Sequence, residues 1–331
     1  MSKQDSLAVK GIAILMMLFL HLFNQEGNCD LCNNYIIVDG MPFVRFLARA
    51  ANPVPFFLFL SGYGLFYSNK SAGNIKNIKR LLVLYIHFWV ILTIFLMLGA
   101  IIKPEMYPGS LVQVLKNYSS FFYSYNGEYW FLFPYSVLAI LSPWIISLFN
   151  RFHYLIPLIG TFLIYVCTSF IISRYGAKFL FNNMWLYNPL LVFHMLFYFT
   201  LGLTCARINF WGILDKLKPA NGILWAALIV LVIVFCFIDN FATHIVYVIA
   251  FIVLFVAAPK YKKVKSFFMY LGHHSMNMWL IHTWFCYYLF KDFIYGFKYP
   301  IIIFCVLVIC TLSTSIIINW LTKPIEKQII K

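Results

Sequence analysis

Long apolar stretches alternate with short polar and basic segments along almost the whole chain. This pattern predicts ten membrane-spanning helices. We place them near residues 8–23, 54–68, 81–102, 129–148, 154–173, 189–206, 222–238, 242–257, 267–290 and 299–321. The predicted fold is therefore all-α: a polytopic integral membrane protein with a single transmembrane domain over residues 1–331.

Composition and charge agree with this fold. Of the 331 residues, 63% are hydrophobic and only 11% are charged, so a water-soluble domain is excluded. The net charge of +15 would by itself suit a nucleic-acid-binding protein. With the N-terminus inside, however, 17 of the 25 basic residues fall in inner segments and seven of the ten acidic residues fall outside. We therefore predict cytoplasmic termini and no nucleic-acid partner.

The first predicted span contains Lys10, then ten apolar or glycine residues, then His21. In a helix these two side chains lie about 20° apart around the axis and roughly 16 Å apart along it. Polar groups of this kind inside a membrane usually face a protein interior or a water-filled cavity. The alternative is that Lys10 snorkels to the headgroups while His21 lies at the opposite interface.

The predicted outer loop, residues 24–53, contains two polar pairs. Arg45 and Arg49 are four residues apart and would share one helix face. They could contact an anionic acceptor, or snorkel from an interfacial helix. Cys29 and Cys32 form one C-x-x-C pair, which could become a disulfide in an oxidising compartment. No cluster has convincing metal-ligand spacing, so we predict no metal site.

Small and polar residues mark two further spans. Ser61, Gly62 and Gly64 would permit close packing of the second span. Ser275 and His282 in the ninth span are seven residues apart and so share a helix face.

Charged residues flank two other spans. Lys79 and Arg80 end a basic inner segment that suits either lipid headgroups or a polyanionic ligand. Glu128 precedes the fourth span, where it could face an outward cavity or lie in a solvated loop.

Five elements, in this order, resemble those of the membrane-bound acyltransferase-3 family, whose members O-acylate sugars and other acceptors from acyl-CoA. They are Lys10 with His21; Phe-Phe-Leu-Phe-Leu-Ser-Gly-Tyr at residues 56–63, which includes Ser61, Gly62 and Tyr63; Tyr-Trp-Phe-Leu at 129–132, which includes Trp130; Leu-Gly-x-x-Ser at 271–275 with Leu-Ile-His at 280–282; and Ile-Glu-Lys at 325–327. The likeness extends over almost the whole chain. Three positions depart from the family pattern: Val83 and Ile86 replace an Arg and a Pro, and Met276 replaces a Tyr.

The resemblance implies an acyl-CoA donor, most simply acetyl-CoA, and a catalytic role for His21. His21 would act as general base or form a covalent acyl intermediate. Lys10, Lys79 and Arg80 would hold the donor phosphates at the inner mouth. Ser61, Gly62, Tyr63, Trp130, Ser275 and His282 would line the cavity or pack around it, and Arg45, Arg49 and Glu128 are possible acceptor contacts.

The sequence therefore predicts an O-acetyltransferase of a surface or lipid-linked glycan in the plasma (inner) membrane, with membrane lipid as its other partner. Two other classes stay open at this point. A glycan or lipid-linked-sugar exporter would need many membrane-spanning helices and a water-filled cavity, but it would not use acyl-CoA. A membrane glycan polymerase would use Arg45 and Arg49 to hold a pyrophosphate-linked acceptor.

Overall fold

The computed structural model describes residues 1–214, 221–238 and 241–330, and within them the side chains of all but residues 69–74, 76, 221–222, 241–242 and 330. This part of the chain is almost entirely helical. Its α-helices are α1 (Lys3–Phe23), α2 (Glu26–Cys29), α3 (Phe43–Ala48), α4 (Pro53–Ile102), α5 (Leu111–Tyr118), α6 (Leu132–Arg151), α7 (Leu155–Tyr175), α8 (Met184–Arg207), α9 (Phe210–Leu214), α10 (Asn221–Phe237), α11 (Phe241–Ala257), α12 (Lys262–Thr283), α13 (Lys291–Tyr295) and α14 (Pro300–Ile330). Three other helical segments are the 3₁₀-helix Gly127–Phe131 and the π-helices Gly176–Leu180 and Trp284–Tyr288.

A two-stranded hairpin interrupts the helices after α2. Strand β1 (Ile37–Val38) pairs antiparallel with β2 (Met41–Pro42). The two residues between them, Asp39 and Gly40, have φ values of 51° and 72°. This Asp-Gly turn matches the twist of a tight hairpin, because both of its central residues adopt positive φ.

Seven described segments are long and apolar enough to cross a membrane, which confirms the predicted multi-pass, all-α fold. They are Lys3–Phe23, Phe43–Ser68, Asn77–Ile102, Gly127–Arg151, Leu155–Leu180, Met184–Arg207 and Pro300–Ile329. Two shorter apolar helices, Ile223–Phe237 and Thr243–Ala257, coincide with the seventh and eighth predicted spans. The ninth predicted span coincides with α12, whose polar residues include Lys262, Lys263, Lys265, His273, His274, Asn277 and His282. Of the residues in the charge count, Lys216, Lys218, Asp239 and Lys331 lie outside the described residues.

Helix α4 differs from the sequence prediction, which places an inner loop between spans 54–68 and 81–102. The backbone is helical throughout this region. Yet the Arg80 guanidinium donates a hydrogen bond to Ser68 Oγ at 3.2 Å. Along a straight helix, twelve residues extend about 18 Å, farther than an arginine side chain reaches. The helix must therefore bend sharply between Ser68 and Arg80, and the predicted loop is replaced by bent helix.

The chain forms two compact units: Met1–Phe56 with Leu217–Leu321, and Phe57–Lys216 with Thr322–Lys331. We call them unit 1 and unit 2. In unit 1, α1 packs directly on α12. A Cβ added to Gly11 would lie 1.9 Å from the Phe268 carbonyl oxygen, and one added to Gly272 would lie 2.0 Å from that of Leu7. The two backbones therefore touch, which only glycine at both positions allows.

Helices α1 and α12 run parallel. At their first turns, Lys265 Nζ lies 2.7 Å from an Asp5 carboxylate oxygen. At their last turns, the His21 and His282 rings are in contact. The predicted topology requires the first and ninth spans to cross the membrane in the same direction, and this packing is consistent with that requirement.

Unit 2 contains a similar contact between α4 and α8. A Cβ on Gly62 would lie 1.9 Å from the Phe199 carbonyl oxygen, and one on Gly202 would lie 2.1 Å from that of Phe59. Gly64, which the sequence grouped with Gly62 as a packing residue, is exposed, and a Cβ there would meet nothing within 4 Å. Gly62 alone of the pair makes the close approach.

Candidate active site

Helix α1 carries His21 in its last turn. The helix begins with a capping box, in which the Ser2 hydroxyl accepts from the Asp5 N–H and the Asp5 carboxylate accepts from the Ser2 N–H. It ends at Asn24, whose N–H donates to the Leu20 carbonyl. Lys10 and His21 therefore lie on one continuous helix, as predicted, with Lys10 half-buried on it.

The glycine contact explains why His21 meets His282. His21 lies ten residues beyond Gly11, and His282 lies ten residues beyond Gly272. Because α1 and α12 run parallel and touch at these glycines, ten further residues carry both histidines about 15 Å along their helices to the same level. Their ring centroids are 4.9 Å apart, with an interplanar angle of 53°.

Tyr287 fixes the proton on His21. The Tyr287 hydroxyl donates its only hydrogen to the His21 carbonyl oxygen at 2.6 Å. The same hydroxyl oxygen lies 3.2 Å from His21 Nδ1, and it can therefore only accept there. Nδ1 must carry the hydrogen of the neutral ring, which leaves Nε2 as the basic nitrogen of His21.

His282 is held in the same tautomer by its own helix. Its Nδ1 lies 2.6 Å from the Trp279 carbonyl oxygen, which can only accept a hydrogen bond. The hydrogen of the neutral ring is therefore on Nδ1, and Nε2 carries the lone pair. The side chain is completely buried. Its Nε2 has no hydrogen-bond partner among the residues that the structure describes.

Sequence reasoning missed Tyr287 because it lies in a π-helical turn. In a regular α-helix, a residue five positions after His282 would lie roughly 140° away around the axis. Here the Leu289 N–H donates to the Trp284 carbonyl, an i to i+5 bond. Such a wider turn returns to the same face after about five residues and lets Tyr287 reach His21. The only sequence signal is the run of aromatic residues after α12, which does not indicate a π turn.

The other predicted donor-site residues lie in unit 2, apart from Lys10 in unit 1. Lys79 is half-buried, and Arg80 is exposed and donates to Ser68. Their predicted convergence with Lys10 on the phosphates of a donor stays a prediction.

The two arginines of the predicted outer loop are paired with acids inside unit 1. Arg45 lies 3.2 Å from a Glu26 carboxylate oxygen, and Arg49 lies 3.2 Å from that of Asp39. Arg49 also donates to the Cys236 carbonyl oxygen at 3.2 Å. An anionic acceptor would have to compete with these carboxylates, and the pairing gives both side chains a role in holding the loop.

The remaining motif residues are placed by local packing. Ser275 is buried, and its hydroxyl donates to the Gly272 carbonyl at 2.9 Å, beside the α1–α12 contact. Tyr63 is buried and lies against Phe59 and Tyr67. Ser61, on the same helix, is half-buried.

Glu128 and Trp130 lie in the short 3₁₀-helix that leads into α6. The Asn126 side chain caps this turn by accepting from the Glu128 N–H at 3.1 Å. Both residues are partly exposed. Glu128 is thus part of a capped helix start, and its predicted acceptor contact stays a prediction.

Cys29 and Cys32 are buried thiols in the turn that follows α1. The Cys29 thiol donates to the Phe23 carbonyl at 3.2 Å, and the Cys32 N–H donates to the Cys29 carbonyl at 2.9 Å. Burial raises the pKa of each thiol to about 11. Both are therefore protonated near neutral pH, which makes them poor nucleophiles and poor metal ligands in this state.

These observations define a multi-pass membrane protein with a histidine pair at the ends of two parallel helices. A family model described as an acyltransferase domain matches residues 8–320, which is nearly the whole chain and covers most of each unit. The chain belongs to this acyltransferase-3 family. A search of curated proteins and a search of solved structures gave no match.

Proposed function

We propose that the protein is an acyl-CoA-dependent O-acyltransferase that moves an acetyl group from cytoplasmic acetyl-CoA to a hydroxyl of a surface or lipid-linked glycan. The family establishes acyl transfer as the reaction class. The observation that supports the roles of individual residues is the tautomer of His21. Its Nδ1–H donates to Tyr287, and its Nε2 is the basic nitrogen at the end of a membrane helix.

Ester formation from a thioester needs a base for the attacking hydroxyl. In the proposed reaction, His21 Nε2 removes the hydroxyl proton while the oxygen attacks the thioester carbonyl. The carbon–sulfur bond then breaks, and the CoA sulfur takes up a proton. Tyr287 keeps the ring in place and offers an acceptor for Nδ1–H, which stabilises the imidazolium as it forms.

The donor is proposed to enter from the inner side with its phosphates on Lys10, Lys79 and Arg80. Arg80 suits bidentate contact with a phosphate, whereas the two lysines act as point charges. The flexible arm that carries the thioester would follow α1 from Lys10 to His21. The helix rise between them is about 16 Å, a distance that an extended arm must bridge.

The test is transfer of labelled acetyl groups in membranes. Membranes that contain wild type, His21→Ala or His153→Ala receive labelled acetyl-CoA and the glycan pool of the host. His153 is exposed and serves as the matched control. We expect label in glycan with wild type and His153→Ala and none above background with His21→Ala. Label with His21→Ala would remove His21 from the mechanism, and no label with wild type would contradict the proposed donor or acceptor.

The donor site has its own test. Arg80→Ala should raise the KM for acetyl-CoA by about tenfold, since a charged hydrogen bond contributes roughly 1.5 kcal/mol or more. The KM for the acceptor should change little. Arg151→Ala, which removes another exposed arginine of a predicted inner segment, should leave both constants near wild type. An effect of Arg80→Ala on the acceptor alone would move Arg80 out of the donor site.

A further inference from the structure

The buried Nε2 of His282 is the feature that the proposed mechanism does not yet use. His282 is 0% exposed, and its Nδ1–H is committed to the Trp279 carbonyl. This Nε2 has no hydrogen-bond partner among the described residues. Burial of such an acceptor is unfavourable, because its hydrogen bonds to water are lost and no hydrogen bond within the protein replaces them. Such a group in a native protein calls for an explanation, and a role in catalysis is one of them.

The nearest candidate to supply that proton is His21. The His21 ring faces His282 from α1, with the centroids 4.9 Å apart. Both rings carry their hydrogen on Nδ1, so each presents Nε2 as its basic nitrogen. When His21 Nε2 has taken a proton, it becomes a donor on the ring next to His282, whose Nε2 has no hydrogen-bond partner among the described residues.

The two histidines also differ in exposure. His21 is partly exposed, whereas His282 is fully buried between α1 and its own helix. An acceptor hydroxyl that enters from outside would meet His21 first. A proton that moves from His21 to His282 therefore moves from the open side of the pair to the closed side.

We propose that His282 takes part in proton transfer through His21: it receives the proton from His21 and returns it through His21 to the leaving thiolate. This inference rests on the proposed function. The acceptor O–H bond breaks and its proton goes to His21 Nε2, while the new C–O bond forms. The proton passes to His282 Nε2, returns to His21 Nε2 and goes from there to the CoA sulfur as the C–S bond breaks. Both imidazoles end neutral, and the products are an ester and a thiol.

This transfer of a proton between His21 and His282, which we call the relay, explains why both histidines are held as the same tautomer. A ring with hydrogen on Nε2 could not accept a proton at that nitrogen. The Trp279 carbonyl excludes that tautomer for His282, and the Tyr287 hydroxyl excludes it for His21. Two unrelated contacts thus leave Nε2 as the basic nitrogen of both adjacent rings.

The experiment compares variants that keep or remove the basic nitrogen. In His282→Asn, the amide can still donate to the Trp279 carbonyl, but no basic nitrogen is left. His274→Asn is the matched control, since His274 is also buried on α12 and its Nδ1 lies 2.8 Å from Ser315 Oγ. Folded protein is quantified by size exclusion in detergent, and acetyl transfer is expressed per folded molecule. We expect kcat to fall about 100-fold or more for His282→Asn with little change in KM, and less than about threefold for His274→Asn.

A second variant separates proton transfer from packing. His282→Gly leaves a space into which imidazole or pyrazole, rings of equal size, could enter. Imidazole is a base near neutral pH and pyrazole is not, so only imidazole should restore transfer. Equal effects of the two rings, including no effect of either, would make His282 a packing residue and overturn the relay. So would a kcat for His282→Asn above a third of wild type.

These outcomes are distinct from failure of the proposed function. If wild-type protein transfers no acetyl group, the acetyl-CoA reaction fails, and the relay fails with it. If wild type and His274→Asn are active and His282→Asn is equally active, the reaction stands and the relay alone is wrong.

Discussion

Units 1 and 2 each contain two parallel helices whose backbones touch at a pair of glycines. In unit 1 these are Gly11 on α1 and Gly272 on α12; in unit 2 they are Gly62 on α4 and Gly202 on α8. The geometry of the contacts is nearly the same. What lies beyond them differs: the unit 1 helices continue to two facing imidazoles, whereas aromatic side chains such as Tyr63 surround the unit 2 contact. The glycine contacts hold the two helices of each pair close together. The side chains that follow these contacts then decide whether the helix pair carries a functional site.

The largest effect is expected from filling these contacts. Gly272→Ala and Gly62→Ala would each place a Cβ about 2 Å from a backbone oxygen. We expect a loss of roughly 3 kcal/mol of stability or failure to accumulate in the membrane. Gly64→Ala is the control and should be neutral or stabilising by up to about 1 kcal/mol, because its Cβ would meet open space. Thermal unfolding in detergent measures all three, and equal stability for Gly62→Ala and Gly64→Ala would contradict the close contact.

Part of this helix arrangement can be predicted from the sequence, because it depends on spacings within single helices. Ten apolar or glycine residues between Lys10 and His21 predict a helix with both polar groups on one face, and the helix is found. The equal spacing of Gly11 to His21 and Gly272 to His282 is also present in the sequence. It becomes informative only when the two helices are known to be parallel neighbours. Pairing of distant helices is a tertiary fact that hydropathy does not encode.

Other features cannot be predicted from the spacing of apolar residues along the chain. The sequence predicts a loop before Lys79, yet the backbone stays helical and bends there, and no proline interrupts residues 56–102. Gly62 and Gly64 look equivalent in the sequence, but only one faces α8. Tyr287 requires a π turn that an α-helical projection cannot anticipate.

The next largest effect tests whether the polar cluster of unit 2 is structural. His87 is 2% exposed, and its Nε2 lies 2.7 Å from Glu326 Oε1, to which the Thr322 hydroxyl also donates at 2.7 Å. His87→Ala should cost about 2 kcal/mol of stability, since it removes a buried hydrogen bond to an acidic group. Acetyl transfer per folded molecule should stay within about twofold of wild type. A tenfold loss of transfer per folded molecule would instead place His87 in the mechanism and break the contrast between the units.

A smaller effect is expected at Tyr287. Tyr287→Phe removes the hydroxyl that accepts from His21 Nδ1–H, so the ring can adopt the other tautomer. We expect kcat to fall about tenfold, with KM for both substrates nearly unchanged. Tyr288→Phe, one position further on, is the control and should keep kcat within about twofold. If the two variants behave alike, Tyr287 does not position His21.

The smallest effect is expected at the two cysteines that follow the C-terminal end of α1. Since burial raises the pKa of Cys29 and Cys32 to about 11, both thiols should react slowly with iodoacetamide at pH 7. Their rates should rise about tenfold per pH unit up to pH 10, because only the thiolate reacts. Mass spectrometry of the peptide, with Cys29→Ser to assign the sites, measures both rates. If the reaction rates stop rising by pH 9, these thiols are not buried against Phe23 and its neighbours.

The π turn after α12 has a consequence for how this family member can change over evolution. Substitutions at Phe285 or Cys286 alter side chains but leave the phase of the helix as it is. Deletion of a single residue between Thr283 and Tyr287 would allow a regular α-helical turn and place the tyrosine four positions after His282, about 40° from it around the axis. A change that removed the π turn without a deletion would instead turn the tyrosine about 140° away from His282. The site therefore depends on a spacing as well as on a set of side chains, and a relative shorter by one residue here could keep the acceptor for the His21 proton on a regular helix.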